Sequence, residues 1–447
     1  KFFGDVAFIK VKGRTFPIET VYSGHTFEDN WFSVKNEVLQ ATVSSVQSLV
    51  EEGLNGTILV FLPGKGEINK VQSMLLNSLQ GVPIYRLYSG VEEQEKKQAV
   101  NGTELKVVLA TNVARSGLTI ENCVAVVSSG YTRNPFYETK HGYKGIKTIR
   151  SDESSIKQEG GRTGRTCEGK HIIIGTEKDF SDTMFSVEDI GRAVLSVLSS
   201  GISIKSFEWF YRPDGNELVN TQKFLTQIGA LDRSGITELG RAISQLPVDL
   251  LLGKLLIESK KLGVEKEGAN LVSFIVNQKH MYDEVLYFAV NYDFEKDKEV
   301  EETKQELLQA LKEIKVPQEI SEEPMQSLRK AIIRTFGIDA SIYVPKDTYV
   351  PFSSTALDGI TLNGEGFMNY PSNDDLEFQC EHIYLDELED DDVIIPLHLF
   401  ATDRGLTSQS YLKVKLDELK SEIDTTNLEL LKKGVENKKE KMRQTYQ

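Results

Sequence analysis

The stretch TILVFLPGKGEINKVQSMLLNSLQ, residues 57–80, joins a continuous apolar run to a segment whose apolar residues recur every three or four positions. A run of strand length without alternating polar residues is typical of a strand buried on both faces, and the second segment has the period of an amphipathic helix. The pattern returns in the runs VPIYRLY, LKVVLA, CVAVVSS and HIIIG, up to about residue 175. It predicts an α/β domain built on a doubly wound parallel sheet.

Polar stretches that contain glycine or small residues follow the predicted strands. LPGKGEI follows the first strand, SGVEEQ the second and ATNVARSGLTI the third. Because ligands of such sheets bind beyond the carboxyl ends of the strands, these stretches are candidate binding loops. A basic segment, residues 133–150, is interrupted by HGYKG and predicts a projecting hairpin. From about residue 186 the pattern becomes mainly helical.

The composition excludes several classes of protein. The chain is 39% hydrophobic and 27% charged, as in an ordinary globular protein. Without an apolar run of about 18 residues or a signal-peptide pattern, we expect an intracellular protein, cytoplasmic or nuclear, with no membrane span. Three cysteines without metal-ligand spacing argue against disulfides and against a metal site. The net charge is +1 for residues 1–280 and −16 for residues 281–447, so the first part is the better surface for a polyanion.

The segment QEGGRTGRTCEGK, residues 158–170, carries two arginines three positions apart. Placed on one face of a helix opened by DESS, Arg162 and Arg165 suit a polyphosphate, because guanidinium groups bind phosphates in a bidentate manner. Taken alone, the pair is equally compatible with a surface helix. The overlapping GRTCEGKH is close to a phosphate loop, but it has His171 at the hydroxyl position and precedes a strand instead of following one. The sequence therefore offers arginines for a phosphate, but no phosphate loop.

Several motifs carry a resemblance to one family. QEGGRTGR resembles the last motif of the DEAH-box helicases of superfamily 2, and ATNVARSGLTIENCVAVVSSG is similar to the motif before it. ILVFLPGKGEI and YRLYSGVEEQ resemble motifs of the second RecA-like domain of that family. LTQIGALDRSGITELGRAISQLPVDLLLGKLLIES resembles its winged helix, and LRKAIIRTFGIDASIY the end of its helical bundle. Order and spacing agree from about residue 12 to residue 345.

The resemblance implies the C-terminal portion of an ATP-dependent RNA helicase. ATP and Mg²⁺ would be held mainly by a missing first RecA-like domain in cis, and this chain alone should not hydrolyse ATP. Arg162 and Arg165 would be arginine fingers, with Gln158 positioning the attacking water. The residues expected beside the nucleotide are Gly161, Gly164 and Thr119. The residues expected to contact single-stranded RNA are Gly64, Lys65, Ser89, Thr111, Asn112, Arg133 and Lys144.

The implied fold is an α/β RecA-like domain followed by α-rich domains and a small β-rich module. The expected boundaries are 1–185 for the RecA-like domain, 186–262 for the winged helix, 263–345 for a shortened, ratchet-like helical bundle, 346–411 for a divergent β-rich module with an OB-like barrel as one reading, and 412–447 for a C-terminal helix. The hairpin would be the strand-separating wedge, and a protein activator would bind the C-terminal modules.

The sequence departs from the pattern of the family at three sites. Glu159 stands where the family has an arginine, which is expected to place a carboxylate beside the fingers. Arg115 begins a run, RSG, that replaces an acidic residue followed by Thr-Ser, and Ser128 replaces an aspartate. Glu159 and the acidic C-terminal part keep an alternative open, a catalytically inactive, helicase-like scaffold that binds RNA or protein. DNA is a further alternative substrate, because these motifs contact phosphates rather than bases.

Overall fold

The computed structural model describes residues 16–28, 30–115, 118–138, 143–180, 190–210, 212–277, 285–291, 297–319, 322–337, 341–343, 367–369, 377–380, 392–397, 400–402, 405–408 and 410–423. The chain divides into two compact units, which are described separately. The first unit comprises Lys1–Pro135 and Ile146–Ser186, and the second comprises Phe136–Gly145 and Val187–Gln447.

The elements from the start of the chain through the first unit alternate between strands and helices. In chain order they are β1 (Ile18–Tyr22), α1 (Trp31–Glu51), β2 (Thr57–Phe61), α2 (Lys65–Ser78), β3 (Ile84–Leu87), α3 (Glu93–Val100), β4 (Lys106–Ala110), β5 (Cys123–Ser128), β6 (Tyr131–Glu138), β7 (Tyr143–Arg150), α4 (Glu153–Gly160) and β8 (Gly169–Ile173). A single 3₁₀ turn, Asn112–Arg115, follows β4.

Six of these strands form one parallel sheet in the order β1-β8-β5-β2-β4-β3. The central strand β2 is buried at every residue. Its side chains alternate between two apolar clusters, with Ile58 and Val60 in the cluster of α1 and α2, and Leu59 and Phe61 in the cluster that contains Ala99 of α3. Helices therefore cover both faces, and the predicted doubly wound sheet is confirmed.

The second unit opens with helices. They are α5 (Ile190–Ser199), α6 (Gly215–Gln227), the short strands β9 (Leu231–Asp232) and β10 (Gly235–Ile236), α7 (Glu238–Ser244), α8 (Leu250–Lys261), α9 (Glu265–Val276), α10 (Val285–Asn291), α11 (Lys298–Lys312) and α12 (Pro324–Phe336). β9 and β10 pair in an antiparallel manner between α6 and α7, as the wing of a winged helix does. Phe224 and Phe336 are the largest side chains in the buried core of these helices.

The second unit ends in short strands and one helix. They are β11 (Ser341–Tyr343), β12 (Phe367–Asn369), β13 (Glu377–Cys380), β14 (Asp392–Pro396), β15 (Phe400–Thr402), β16 (Gly405–Ser408), β17 (Tyr411–Lys415) and α13 (Leu416–Glu422). The strands follow the order β17-β14-β11-β12-β13-β16-β15, and β15 also pairs with the first residues of β7.

Two sequence expectations differ from this arrangement. The predicted C-terminal helix begins at residue 412, whereas residues up to Lys415 form β17, because Leu412 and Val414 alternate into the core and pair with β14. The predicted helical bundle runs to residue 345, whereas β11 already belongs to the sheet. Most of the acidic run around residues 386–391 and the tip of the predicted hairpin, residues 139–142, lie outside the described residues. Among the helices that are described, none has both the length and the apolar character needed to cross a membrane.

Candidate functional site

The loops after β2, β4 and β3 lie at one edge of the sheet. The three strands are adjacent and parallel, so their carboxyl ends point the same way. The backbone N–H of Thr111 donates to the carbonyl of Leu87 at 3.1 Å, which joins the loop after β4 to the end of β3. Five predicted RNA-binding residues are thereby brought to this edge: Gly64, Lys65, Ser89, Thr111 and Asn112.

Gly64 is closely approached by the Arg133 side chain. A Cβ atom at Gly64 would lie 2.6 Å from the guanidinium carbon of Arg133, which crosses the start of α2. A buried carboxylate holds that guanidinium, since Glu67 Oε2 lies 3.7 Å from Arg133 Nη2 and Glu67 Oε1 lies 2.5 Å from Lys35 Nζ. Arg133 is therefore held beside Gly64 by a carboxylate that the sequence analysis did not identify.

Lys65 and Lys144, two further predicted RNA contacts, have different surroundings. Lys65 is exposed at the first position of α2, and its Nζ lies 5.3 Å from the ring centroid of Tyr88, within range of a cation–π interaction. Lys144 belongs to the second unit, where it forms an ion pair with Asp249 at the start of α8. The structure thus places Lys65 at the sheet edge of the first unit, whereas Lys144 is paired within the second unit.

The segment that carries the two arginines lies beyond α4. Asp152 caps this helix by accepting a hydrogen bond from the Ser155 N–H at 2.8 Å, and Gln158 is exposed on its last turn. The helix ends at Gly160, so the prediction that both arginines share one helix face is wrong. The chain turns toward β8 through Gly164, whose φ of +70° is in the left-handed region that favours glycine.

Arg162 and Arg165 are held differently. Arg162 Nη1 donates to the Leu118 carbonyl at 2.8 Å and Nη2 donates to the Arg115 carbonyl, which ties this side chain to the loop after β4. Its Nε is buried and finds no hydrogen-bond partner among the described residues. Burial and the neighbouring charge of Arg165 lower the pKa of Arg162. Arg165 is exposed, and its Nε donates to the Gly161 carbonyl at 3.0 Å.

The residues expected beside the nucleotide surround these arginines. Thr119 is exposed and directly follows Leu118, the residue whose carbonyl Arg162 contacts. Gly161 caps α4 and supplies the carbonyl for Arg165. Gly164 lies against β1, since a Cβ there would be 2.6 Å from Ile18 Cγ1. The predicted nucleotide-site residues therefore occupy one neighbourhood of the first unit.

The Glu159 carboxylate, which the sequence analysis expected beside Arg162 and Arg165, is paired with Arg115. The Glu159 side chain is 2% exposed and points into the domain, where Arg115 Nε donates to Glu159 Oε1 at 2.7 Å. Arg115 Nη2 lies 2.5 Å from the same oxygen, and Nη1 donates to Ser155 Oγ at 3.2 Å. Burial raises the pKa of the Glu159 carboxyl, while Arg115 and a hydrogen bond from Ser128 oppose that shift.

Ser128 and His171 extend this buried network. Ser128 Oγ lies 2.9 Å from His171 Nε2, and burial lowers the pKa of His171 to about 4. His171 is part of β8, with its ring against Gly160, where a Cβ would lie 2.5 Å from Nδ1. Sequence reasoning noted Arg115, Ser128 and Glu159 only as departures from a pattern. The opposite charges of Arg115 and Glu159 were the signal that could have linked these two residues.

A parallel sheet with loops of this kind at one edge, and an arginine-bearing turn after the last helix, defines the RecA-like domain of a helicase. Residues 41–167 match the model of the helicase conserved C-terminal domain, and residues 222–248 match that of the winged-helix, helicase-associated domain.

Relatives and solved structures agree with this class. The chain is 29% identical over 290 residues to the ATP-dependent RNA helicase HrpA homolog of Haemophilus influenzae, covering 61% of this chain and 22% of that protein. It is 29% identical over 293 residues to the ATP-dependent RNA helicase DEAH11, chloroplastic, of Arabidopsis thaliana, covering 62% and 16%. The fold matches the crystal structure of the Escherichia coli DExH-box NTPase HrpB with a TM-score of 0.71 and 19% identity, over 91% of this chain and 47% of that one.

The chain thus contains a helicase conserved C-terminal domain and a winged-helix, helicase-associated domain, and it is similar to DEAH-box helicases of superfamily 2. It spans about a fifth of the length of the curated relatives that it matches.

Proposed function

We propose that the chain forms the second RecA-like half of an ATP-dependent RNA helicase. In this role Arg165, Arg162 and Gln158 complete an ATP site whose phosphate loop lies on a separate RecA-like domain. The loops after β2, β4 and β3 hold single-stranded RNA by its backbone. The similarity to proteins named as ATP-dependent RNA helicases supports the proposal, and so does the arrangement of these groups.

One observation carries the proposal: a single loop touches both groups of residues. The loop after β4 presents Thr111 and Asn112 at the sheet edge where RNA is proposed to bind. The carbonyls of Arg115 and Leu118 in the same loop hold Arg162. An RNA backbone bound at the start of this loop is therefore only a few residues away from the two carbonyls that hold Arg162. Such an arrangement allows RNA binding to alter the geometry of the ATP site.

The surroundings of the arginines fit a polyphosphate. Arg165 presents an exposed guanidinium, and Arg162 keeps one buried N–H without a partner among the described residues. In the closed enzyme Arg165 stabilises the negative charge that develops on the transferring phosphoryl group. The exposed amide of Gln158, one turn before Arg162, orients the attacking water. ATP with its Mg²⁺ is the substrate, and both are held by the domain that carries the phosphate loop.

The sheet edge formed by the loops after β2, β4 and β3 is suited to bind phosphates rather than bases. Hydroxyl groups, backbone N–H groups and the start of a helix bind phosphate oxygens without distinguishing sequence. Lys65 and Arg133 add positive charge at the start of α2, where the helix dipole also favours an anion. We therefore expect binding that depends on salt and hardly on sequence.

The inactive-scaffold alternative loses one of its two supports. It rested on a carboxylate beside the fingers, whereas the Glu159 carboxylate is buried against Arg115. The acidic character of residues 281–447 remains in its favour.

Hydrolysis in the complete protein, with its phosphate-loop domain, separates the two functions. Arg165→Ala should lower RNA-stimulated ATP hydrolysis by about 100-fold or more, the scale of an arginine finger, with RNA affinity nearly unchanged. Arg233→Ala is a matched control, because Arg233 is an exposed arginine in the turn between β9 and β10. Hydrolysis at the wild-type rate by Arg165→Ala would contradict the finger role of Arg165, and a wild-type complete protein without RNA-stimulated hydrolysis would favour the scaffold function.

A further inference from the structure

Two of the departures from the family pattern meet in the structure with their charges exchanged. Arg115 stands where the family has an acidic residue, and Glu159 stands where it has an arginine. Although 44 positions separate them, Arg115 Nε donates to Glu159 Oε1 at 2.7 Å. Two independent departures of opposite sign, in direct contact, point to one compensated change rather than two separate losses.

We propose that Arg115 and Glu159 form a charge-exchanged positioning pair that fixes the arginine turn, residues 160–165, on the loop after β4. The catalytic part of this inference rests on the proposed function, because it assigns the pair the task of transmitting RNA binding from Thr111 and Asn112 to Arg162 and Arg165. Neither member of the pair contacts ATP or RNA in this role.

A closed ring of contacts supports the positioning role. The Arg115 side chain binds the Glu159 carboxylate, and the Glu159 carbonyl accepts a hydrogen bond from the Arg162 N–H at 3.0 Å. The Arg162 guanidinium then returns to the Arg115 carbonyl. Each of the three residues is thus held by the other two, so a displacement of Arg115 must displace Arg162.

Because the pair is largely buried, the loss of one partner has a large energetic cost. The Arg115 side chain is 14% exposed and that of Glu159 is 2% exposed. Removing one partner from such a pair leaves a buried charge without compensation, which is strongly unfavourable, whereas the pair as a whole adds little net stability. In this role the pair fixes the loop after β4 against α4.

The third departure, Ser128, fits the same exchange of charges between positions 115 and 159. Ser128 replaces an aspartate, and its hydroxyl is near enough to Glu159 to oppose the rise in the pKa of that carboxyl, while it lies 2.9 Å from His171 Nε2. An aspartate at this position would bring a second buried carboxylate against Glu159, and like charges at such a distance repel. A neutral hydroxyl donor is compatible with Glu159, so one rearrangement accounts for all three departures.

Charge reversal in the complete protein tests the pair. Arg115→Glu or Glu159→Arg alone should lower RNA-stimulated kcat by about tenfold or more, with a smaller change in KM for ATP. The double reversal should return kcat to within about threefold of wild type, and Ser128→Asp should impair the wild-type background more than the double reversal. Reversing the Lys170–Glu52 pair, which joins β8 to α1 at 2.8 Å, is the control and should leave the RNA stimulation intact.

Hydrogen exchange on the chain alone gives a readout without ATP. Each single reversal should speed amide exchange about tenfold in both residues 111–115 and residues 159–166, and the double reversal should restore it. Glu159→Gln, which keeps the shape of the side chain, serves if a reversal prevents folding, and it should speed exchange in the same two segments.

The outcomes of these experiments test the positioning role of the pair separately from the proposed function. Unchanged exchange in the single variants, or a double variant as impaired as the singles, overturns the positioning pair. If the wild-type complete protein shows no RNA-stimulated hydrolysis, the proposed function fails, and the exchange results alone decide whether the pair positions the turn.

Discussion

At the scale of single residues, the imidazole of His171 lies where a positive charge is disfavoured. The ring is 3% exposed, between Gly160 and Ser128, and burial lowers its pKa to about 4. Unfolding exposes the imidazole, whose pKa is then about 6.5. Between these two values the unfolded chain therefore binds a proton that the folded chain does not bind.

This difference predicts a loss of stability in weak acid. The contribution of His171 to the free energy of unfolding is fully present above about pH 6.5 and is lost as the pH falls toward 4. Between pH 7 and pH 5 it amounts to about 2 kcal/mol. In chemical denaturation of this chain, His171→Gln should remove that part of the pH dependence. His25→Gln is the control, since His25 is exposed, and an identical pH dependence in wild type and His171→Gln would contradict the prediction.

At the scale of elements, the edge formed by β2, β4 and β3 predicts the salt dependence of RNA binding. In the proposed function Lys65 contributes one charge to a phosphate, so Lys65→Ala should reduce the log–log salt slope for single-stranded RNA by about 0.7. Thr111→Ala should weaken binding by a similar factor for every sequence and leave that slope unchanged, since a hydroxyl displaces no counterion.

Lys70→Ala provides the matched control for Lys65. Lys70 lies on the same helix but donates to Asn36 Oδ1 at 2.5 Å, away from the start of α2. Titrations with homopolymers of different bases at several salt concentrations measure both quantities. Losses of affinity that depend strongly on the base would mean that these loops read sequence.

The elements also show which parts of the fold the sequence could predict. The burial of β2 on both faces follows from TILVFL, because an uninterrupted apolar run leaves no polar face for solvent. The end of α4 was harder to predict, since two glycines stop a helix only weakly and the close approach of His171 to Gly160 is not visible in sequence. In β17, the lysines of YLKVK were read as a helix surface, although the alternation of Leu412 and Val414 is that of a strand.

The site was predictable to a similar extent. Loops at the ends of neighbouring parallel strands meet at one edge, so the positions of Gly64, Ser89 and Thr111 follow from topology alone. Side-chain partners across the fold do not, because Arg115 and Glu159 become neighbours only when the sheet assembles. The same holds for Glu67, which holds Arg133 from a helix 66 positions earlier in the chain.

At the scale of the whole molecule, the proposed function makes this chain one side of an ATP site. It carries arginines for the phosphates but no phosphate loop. The purified chain should therefore show no ATP hydrolysis with or without RNA, and adding the phosphate-loop domain should restore it. A radiolabelled phosphate-release assay measures both states. Turnover by the chain alone that Arg165→Ala abolishes would mean that the chain binds and hydrolyses ATP by itself.

The exchanged pair of Arg115 and Glu159 also constrains how this chain could have diverged and how it can be recombined. Changing either residue alone toward the family pattern places two like charges in contact inside the domain, so each single step passes through an impaired intermediate. The two sites are therefore epistatic, and they should be inherited together. A chimera that takes the turn after α4 from a relative with the usual pattern should function only when it also takes the loop after β4 from the same relative.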